Sequence, residues 1–336
     1  MRTRARLHEL VEQFPSRRVV LYGDLVLDRF VLGTPKRISR EAPVIILRFE
    51  GQRDLPGGGA NALANLAALG ATVLPAGVVG DDEAGESLRR ALATLGVDTS
   101  GIAVLSGFRT VTKVRVLAGG VASLKHQVAR YDVEDHLPNH DSWRERLFGR
   151  LAEVAPTAHG AAVSDYGYGL VSADGVARLR TALPKGAPIV ADSRFALEAL
   201  GPVDGATPNL EELAAAAGEV LESDEGVAAA AEALRRRLGA RFVAATRGSD
   251  GLTLVTGDGP ALHLPVFGTD QVADVTGAGD TVLATLTLAL AAGAEPCDAA
   301  AIANLAGGVV VTKLGTATLS RDELHRAIDQ ATFLND

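Results

Sequence analysis

The stretch Asp274-Val-Thr-Gly-Ala-Gly-Asp280-Thr281 runs directly into an apolar helical pattern over 282–290. Glycines at 277 and 279 let the backbone turn tightly. They also leave N–H groups uncovered at a helix N-terminus, where the helix dipole favours an anion. A carboxylate at that point competes with the anion, which makes Asp280 informative. One reading resolves the conflict: the backbone of Gly277, Ala278 and Gly279 holds a transferring phosphoryl group while Asp280 takes the proton of an attacking hydroxyl. The plainer reading is a first-turn acid after a glycine turn, and the segment alone leaves both open.

Other segments carry weaker signals of the same kind. Pro56-Gly-Gly-Gly-Ala-Asn61 precedes a helical pattern. Its glycines, Gly57 and Gly58 among them, permit close backbone approach to a ligand, and Asn61 offers a donor and an acceptor to hydroxyls; a hinge is the alternative. Asp24 and Asp28 follow the first strand, where an acid faces the ligand crevice of an open α/β sheet, or simply sits in a turn. Thr207-Pro-Asn209-Leu-Glu-Glu212 opens a helix and places Asn209 and Glu212 one turn apart. That pair suits a hydrated magnesium ion, and equally suits a helix cap with an acid at its third position. Thr246-Arg247-Gly248 ends another strand. The chain has no Gly-Lys dipeptide, so a Walker A loop is excluded, and the glycine triplet lacks the second half of a dinucleotide fingerprint.

The elements that must position these residues alternate. Strands are expected over 19–22, 73–79, 161–163, 189–191 and 242–245, with helices over 60–69, 83–95, 173–183, 210–217 and 226–238. Such βα alternation means a mostly parallel sheet with helices on both faces. Two stretches, 31–56 and 109–132, insert no helix and are rich in β-branched residues, the second with Gly119-Gly120 between strand-like runs. They predict a small antiparallel β lid, leaving 1–30, 57–108 and 133–336 as the α/β body. Another hairpin is expected between 256 and 266, turning at Gly257-Asp258-Gly259.

Composition narrows the classes. Lys plus Arg number 33 and Asp plus Glu 41 among 336 residues, a balance of 33 − 41 = −8. That argues against nucleic acid or an anionic membrane as partner, because both require a concentrated basic surface. A hydrophobic share of 47% with 22% charged residues marks a folded chain. The N-terminal residues place Leu7, Leu10, Val11 and Phe14 at helical spacing, so the segment reads as an amphipathic helix and not a signal peptide. The apolar run 282–294 is shorter than the roughly 20 residues that span a bilayer. Cys297, the single cysteine, permits no internal disulfide and reads as a small buried hydrophobe. A reducing cytoplasm is the expected compartment.

A glycine triplet with asparagine, N-x-x-E past the middle and D-x-T-G-A-G-D near the end together resemble the ribokinase/PfkB family of carbohydrate kinases. The resemblance covers nearly the whole chain. It implies a ribokinase-like α/β body with a small β lid, ATP and Mg2+ as phosphoryl donor, and a sugar or similar alcohol as acceptor. By it Asp280 is the catalytic base and 277–279 the anion hole. Asn209 with Glu212 would organise magnesium, and Asp274 would help bind a monovalent cation, with K+ the candidate. Thr246, Gly248 and Asn304 would lie at the nucleotide. Within the family, GDLVLDRF (23–30), RISREAPV (37–44), TKVR (112–115), QVAR (127–130), SDYGYG (164–169), TPNLEEL (207–213) and ANLAGGVVVTKLGT (303–316) are similar to bacterial D-glycero-D-manno-heptose 7-phosphate kinases, which phosphorylate C1. On that likeness Arg130, Asp165 and Arg194 join the acceptor site.

The chain departs from that pattern at Arg40, Tyr168 and Ser193-Arg194. Arg194 or Arg40 could supply the positive charge that a lysine at 168 would have carried. The chain stops at Asp336, before any nucleotidyltransferase domain of the bifunctional versions. The lid offers the apolar strand segment APVIILRF as an edge, and a homodimer through the lid is expected. A PfkB-type kinase for another sugar or a nucleoside, and a non-catalytic sugar- or nucleotide-binding regulator on the same fold, remain the alternatives.

Overall fold

The computed structural model describes residues 3–119, 125–138, 142–268 and 272–334. The first part runs α1 (Arg4–Glu12), β1 (Arg18–Gly23), β2 (Leu25–Ile38), β3 (Ile45–Gly58), α2 (Gly59–Ala68), β4 (Thr72–Gly80), α3 (Glu83–Thr94) and β5 (Ile102–Leu105). There follow β6 (Thr112–Ala118), β7 (His126–Val133), α4 (Ser142–Val154), β8 (Gly160–Asp165), α5 (Ala173–Ala182), β9 (Ile189–Ser193) and β10 (Gly205–Ala206). The last part is α6 (Leu210–Ala217), α7 (Asp224–Leu238), β11 (Phe242–Thr246), β12 (Leu252–Val255), β13 (Leu262–Leu264), α8 (Ala278–Ala291), α9 (Pro296–Val310) and α10 (Arg321–Gln330).

Nine strands form one sheet in the order β13-β12-β11-β10-β9-β8-β1-β4-β5. Pairing is parallel from β5 to β11, and the β11-β12-β13 edge is antiparallel. The strands are apolar on both sides, as in β1 (Val19, Val20, Leu21 and Tyr22 all fully buried), because helices cover both faces. On one face α8 is apolar all round and packs against α2, α9 and β8, so the most hydrophobic helix becomes the central one. On the other, Trp143, Leu147, Val176, Leu179, Ala231 and Leu234 of α4, α5 and α7 close a second core. Among the described residues no helix is long and apolar enough to cross a membrane.

The lid is a separate four-stranded sheet, ordered β3-β2-β6-β7. β2 pairs antiparallel with β3 and parallel with β6, and β6 pairs antiparallel with β7. This sheet starts at Leu25 and ends at Gly58 on its first two strands, inside stretches assigned above to the body, since β2 and β3 stay paired down to the glycine triplet. Gly120 of the expected 119–120 turn lies outside the described residues. Arg29 on β2 pins the lid base to the body, gripping Asp54 (2.9 and 2.7 Å) and reaching Glu83 of α3 (2.8 Å).

Candidate active site

In the parallel part of the sheet, strands deliver their carboxyl ends to one side, the place where open α/β sheets bind ligands. Asp24 follows β1, Asp165 closes β8, Asp192 and Ser193 close β9, Thr207 follows β10 and Thr246 closes β11. The loop before α8 comes to the same side. Gly277 is its N-cap with φ of 81°, a left-handed turn that glycine adopts without strain. Asp280 therefore lies in the first turn, almost fully buried.

Two side chains hold that carboxyl. Asn61 of α2 donates from Nδ2 to Asp280 Oδ2 (3.2 Å) and to the Gly277 carbonyl (3.1 Å), and Tyr166 donates its hydroxyl to Oδ1 (2.9 Å). Asn65 donates to Asn61 Oδ1 (3.2 Å), which turns the amide nitrogen of Asn61 toward the acid. Burial pushes Asp280 up to about 7, opposed by its two hydrogen bonds and assisted by the negative charge of Asp28. It can thus exchange a proton near neutral pH.

Asp280 opens into a polar cavity of about 350 Å³. One wall is basic: Lys113 and Arg115 of β6, Arg130 of β7, and Arg194 after β9. Arg115 is ion-paired with Asp28, and Arg130 forks onto Asp132 (2.9 and 2.6 Å). Burial first, then the nearby Arg194, lowers Lys113. The other wall is acidic. Asp192 is held well above the usual carboxylate range by burial and then by Glu212 and Asp280, and burial also raises Glu212.

Such mutually repelling acids fit a divalent cation between them and the phosphates of a ligand. Among the described residues no group of three or more His, Cys, Asp or Glu could cage a metal. Asn209 and Glu212 also cap α6 reciprocally: Asn209 Oδ1 accepts the Glu212 N–H (2.8 Å) and Glu212 Oε2 the Asn209 N–H (2.9 Å). The cap is thus observed, and both residues also line the cavity.

A second cleft of about 310 Å³ adjoins the first, sharing Thr246, Val275 and Gly279. Its lining is mostly apolar, with Leu252, Val266, Val282 and Val311, and it includes Gly248, Ala278 and Asn304. Asn304 donates to the Pro265 carbonyl (2.8 Å). The loop at 277–280 stands between a charged compartment and a mostly apolar one.

Of the residues singled out from sequence, Asp28, Gly58, Arg130, Arg194, Asn209, Glu212, Thr246, Gly277, Gly279 and Asp280 line the polar cavity. Others stand behind it. Asp24 Oδ2 accepts the N–H groups of Tyr166 and Tyr168 (2.9 and 3.2 Å), and burial raises this acid to about 6. Asp165 accepts the Gly167 N–H (3.0 Å) and the Ser193 hydroxyl (2.6 Å). Gly57 lets Asp28 close in, since a Cβ there would fall 2.5 Å from Asp28 Oδ2. Asp274 accepts the Thr276 and Gly315 N–H groups (2.9 and 3.1 Å), bracing the loop before α8.

Arg40 is exposed and lies outside both cavities, leaving Arg194 as the departure that contributes charge. Cys297, expected buried, is exposed: it sits in the first turn of α9, whose buried run begins only at Ala299. Sequence reasoning gave no role to Tyr166, Lys113, Arg115 or Asp192. Three of them stand within the TKVR and SDYGYG segments and Asp192 immediately precedes Ser193-Arg194, so the resemblance itself was the available signal.

An open parallel sheet, a β lid and a buried acid at a glycine-rich helix start, between a charged cavity and an apolar slot, define a carbohydrate kinase of the ribokinase fold. The chain belongs to the pfkB family of carbohydrate kinases, whose model matches residues 16–323; its class is that of ATP-dependent sugar kinases. It is 41% identical over 325 residues to the bifunctional protein HldE of Mesorhizobium japonicum, covering 96% of this chain and 64% of that protein. The HldE of Pseudomonas syringae pv. syringae is 40% identical over 328 residues, covering 95% of this chain and 65% of the relative. This chain thus spans just under two-thirds of the length of these relatives. Among solved structures, Escherichia coli phosphofructokinase-2 in complex with substrates and products superposes with a TM-score of 0.74 at 22% identity, over 93% of this chain and 98% of that one. Arabidopsis thaliana ribokinase complexed with ribose and ATP gives 0.70 at 19%, over 94% and 99%.

Proposed function

We propose that this chain transfers the γ-phosphoryl group of ATP to the C1 hydroxyl of D-glycero-D-manno-heptose 7-phosphate, with Asp280 as general base. The observation that carries the reading is the buried Asp280 carboxyl facing a wall of four cationic side chains. The carboxylate takes the proton of the reacting hydroxyl, and Lys113, Arg115, Arg130 and Arg194 receive an acceptor that is itself phosphorylated. The adenine occupies the apolar slot beside Asn304 and Gly248. Backbone N–H groups of Gly277, Gly279 and Asp280 meet the charge that develops on the transferred group, whereas the Ala278 N–H, expected to join them, is given to the Val275 carbonyl (3.3 Å).

Asn209, Glu212 and Asp192 would hold a hydrated magnesium ion, which supplies charge neutralisation at the phosphates. A monovalent cation such as potassium would share Asp274 with the loop it braces. Asp24 and Asp165 keep the 166–168 loop in place behind the reacting hydroxyl. The test is ADP release against a panel of heptose 7-phosphate, the unphosphorylated heptose, fructose 6-phosphate, ribose and adenosine. We expect kcat/KM for heptose 7-phosphate to exceed that for the unphosphorylated heptose by about 10–100-fold, the worth of charge-assisted hydrogen bonds to one phosphate. A preference for any other member of the panel would overturn the acceptor.

A homodimer through the lid is part of the same proposal. Ile38, Val44, Phe49 and Tyr131 of the lid are more than half exposed, an apolar surface that a second lid would cover. Light scattering at micromolar concentration should report twice the chain mass, and a monomer refutes it.

A further inference from the structure

Among the described residues that line the polar cavity, the one aromatic ring, Tyr166, contacts both the acid and the basic wall. Tyr166 donates its hydroxyl to Asp280 Oδ1 (2.9 Å), and its main-chain N–H goes to Asp24 Oδ2 (2.9 Å). Arg194 stands over the ring at 4.7 Å from its centroid and Lys113 at 4.9 Å. The guanidinium and the ammonium repel each other across this short span, yet the π face attracts both. Carboxylates also attract these cations, Asp28 and Asp132 acting on Lys113 and Asp192 and Glu212 on Arg194, but the ring is the group that both cations share with the Asp280 carboxyl.

We propose that Tyr166 is the positioning residue of the site: its hydroxyl orients Asp280 while its ring holds Lys113 and Arg194 where they receive the anionic end of the acceptor. This deepens, and rests on, the reading of Asp280 as the base. One side chain then sets the separation between the group that takes the proton and the groups that bind the acceptor's charge.

Geometry also limits what Tyr166 does. Burial, with Asp280 and Asp192 nearby, holds its phenol well above the ordinary value, so it remains a donor and takes no proton from the substrate. Tyr166 on one Asp280 oxygen and Asn61 on the other leave one lone pair on each for an incoming hydroxyl. The charged groups that bear on Asp280 are Asp28 from β2, Lys113 from β6 and Asp192 at the end of β9; Asp192, with Arg194 just past that strand, also bears on Tyr166.

The test compares Tyr166→Phe with Tyr166→Leu in steady-state assays from pH 5.5 to 9, alongside Asp280→Asn. The phenylalanine variant keeps the ring and loses a hydrogen bond that favours the ionised acid. Its acid limb in kcat/KM should move to higher pH by about 0.5–1 unit, with kcat at pH 7 down about tenfold and acceptor KM within about twofold of wild type. The leucine variant also loses the ring, and acceptor KM should rise about tenfold while KM for ATP holds. A phenylalanine variant with the wild-type pH profile, or a leucine variant with the wild-type acceptor KM, overturns the inference while leaving the base in place. An active Asp280→Asn enzyme overturns the base and this inference with it.

Discussion

Asp280→Asn should lower kcat by about 10²–10⁴-fold, the usual contribution of a general base, with the fold intact. Asparagine matches the volume of the carboxyl that Asn61 and Tyr166 enclose, so packing is conserved while the proton acceptor is lost. The same substitution has a signature in stability. Burial raises Asp280 to about 7 in the folded protein, above its ordinary value of 3.8. A group raised in this way favours the folded state at low pH, and that contribution fades as pH rises from about 4 through about 7. The asparagine does not titrate. The melting temperature of the variant relative to wild type should therefore climb across that window and level off above it.

Asp24, raised to about 6, titrates in the same range, but it is present in both proteins and drops out of the difference. Wild-type kcat/KM should rise with pH to a plateau above about 7, and the residual rate of the variant should lack this limb. Thermal melts and pH profiles of the pair measure both. Near-normal turnover in the variant would falsify the mechanism.

Gly277→Ala should be the most damaging of the small substitutions around the loop. Its φ of 81° is strained for any residue with a Cβ, at a cost of about 1 kcal/mol. The added Cβ would also lie 2.4 Å from Asn61 Nδ2 and 3.2 Å from Thr316 Cγ2. Asn61 is the softer neighbour, so it must move, and it is the side chain that ties Asp280 to the loop. A displacement of this size in a group that orients the base is worth about 10²-fold in kcat. We expect that loss together with a fall of a few degrees in melting temperature.

Gly279→Ala is the contrast, because a Cβ there meets nothing within 4 Å and the residue has an ordinary helical conformation. Its melting temperature should match wild type. Its effect should fall on KM for ATP, since both clefts share Gly279. Calorimetry plus steady-state kinetics separates the two glycines, and equal behaviour of the two would refute the assignment of Gly277 to positioning.

Much of this architecture could be read from local pattern. The βα alternation gave β1, β4, β8, β9 and β11 with their helices, because hydrophobic period and glycine punctuation are properties of neighbouring residues. The lid was legible for the same reason: two helix-free stretches of β-branched residues. Less local elements escaped. β5, α4, α9 and α10 were not read, and β10, only Gly205–Ala206, is too short to leave a pattern at all.

What the chain determined by itself was a set of devices complete within a few residues. The glycine-bounded start of α8 sets a left-handed turn ahead of Asp280, and Asn209 with Glu212 close their own cap. The partners of those devices were decided only by the tertiary structure. Asn61 meets Asp280 across 219 positions of sequence and Tyr166 meets it across 114. Asp24 turns onto the 166–168 backbone and not into the cavity. The basic wall assembles Lys113, Arg115, Arg130 and Arg194 from two lid strands and the end of β9, in a chain whose net charge is −8. Burial raises Asp280 to about 7, and burial is a property of everything packed around a residue, which no local spacing encodes.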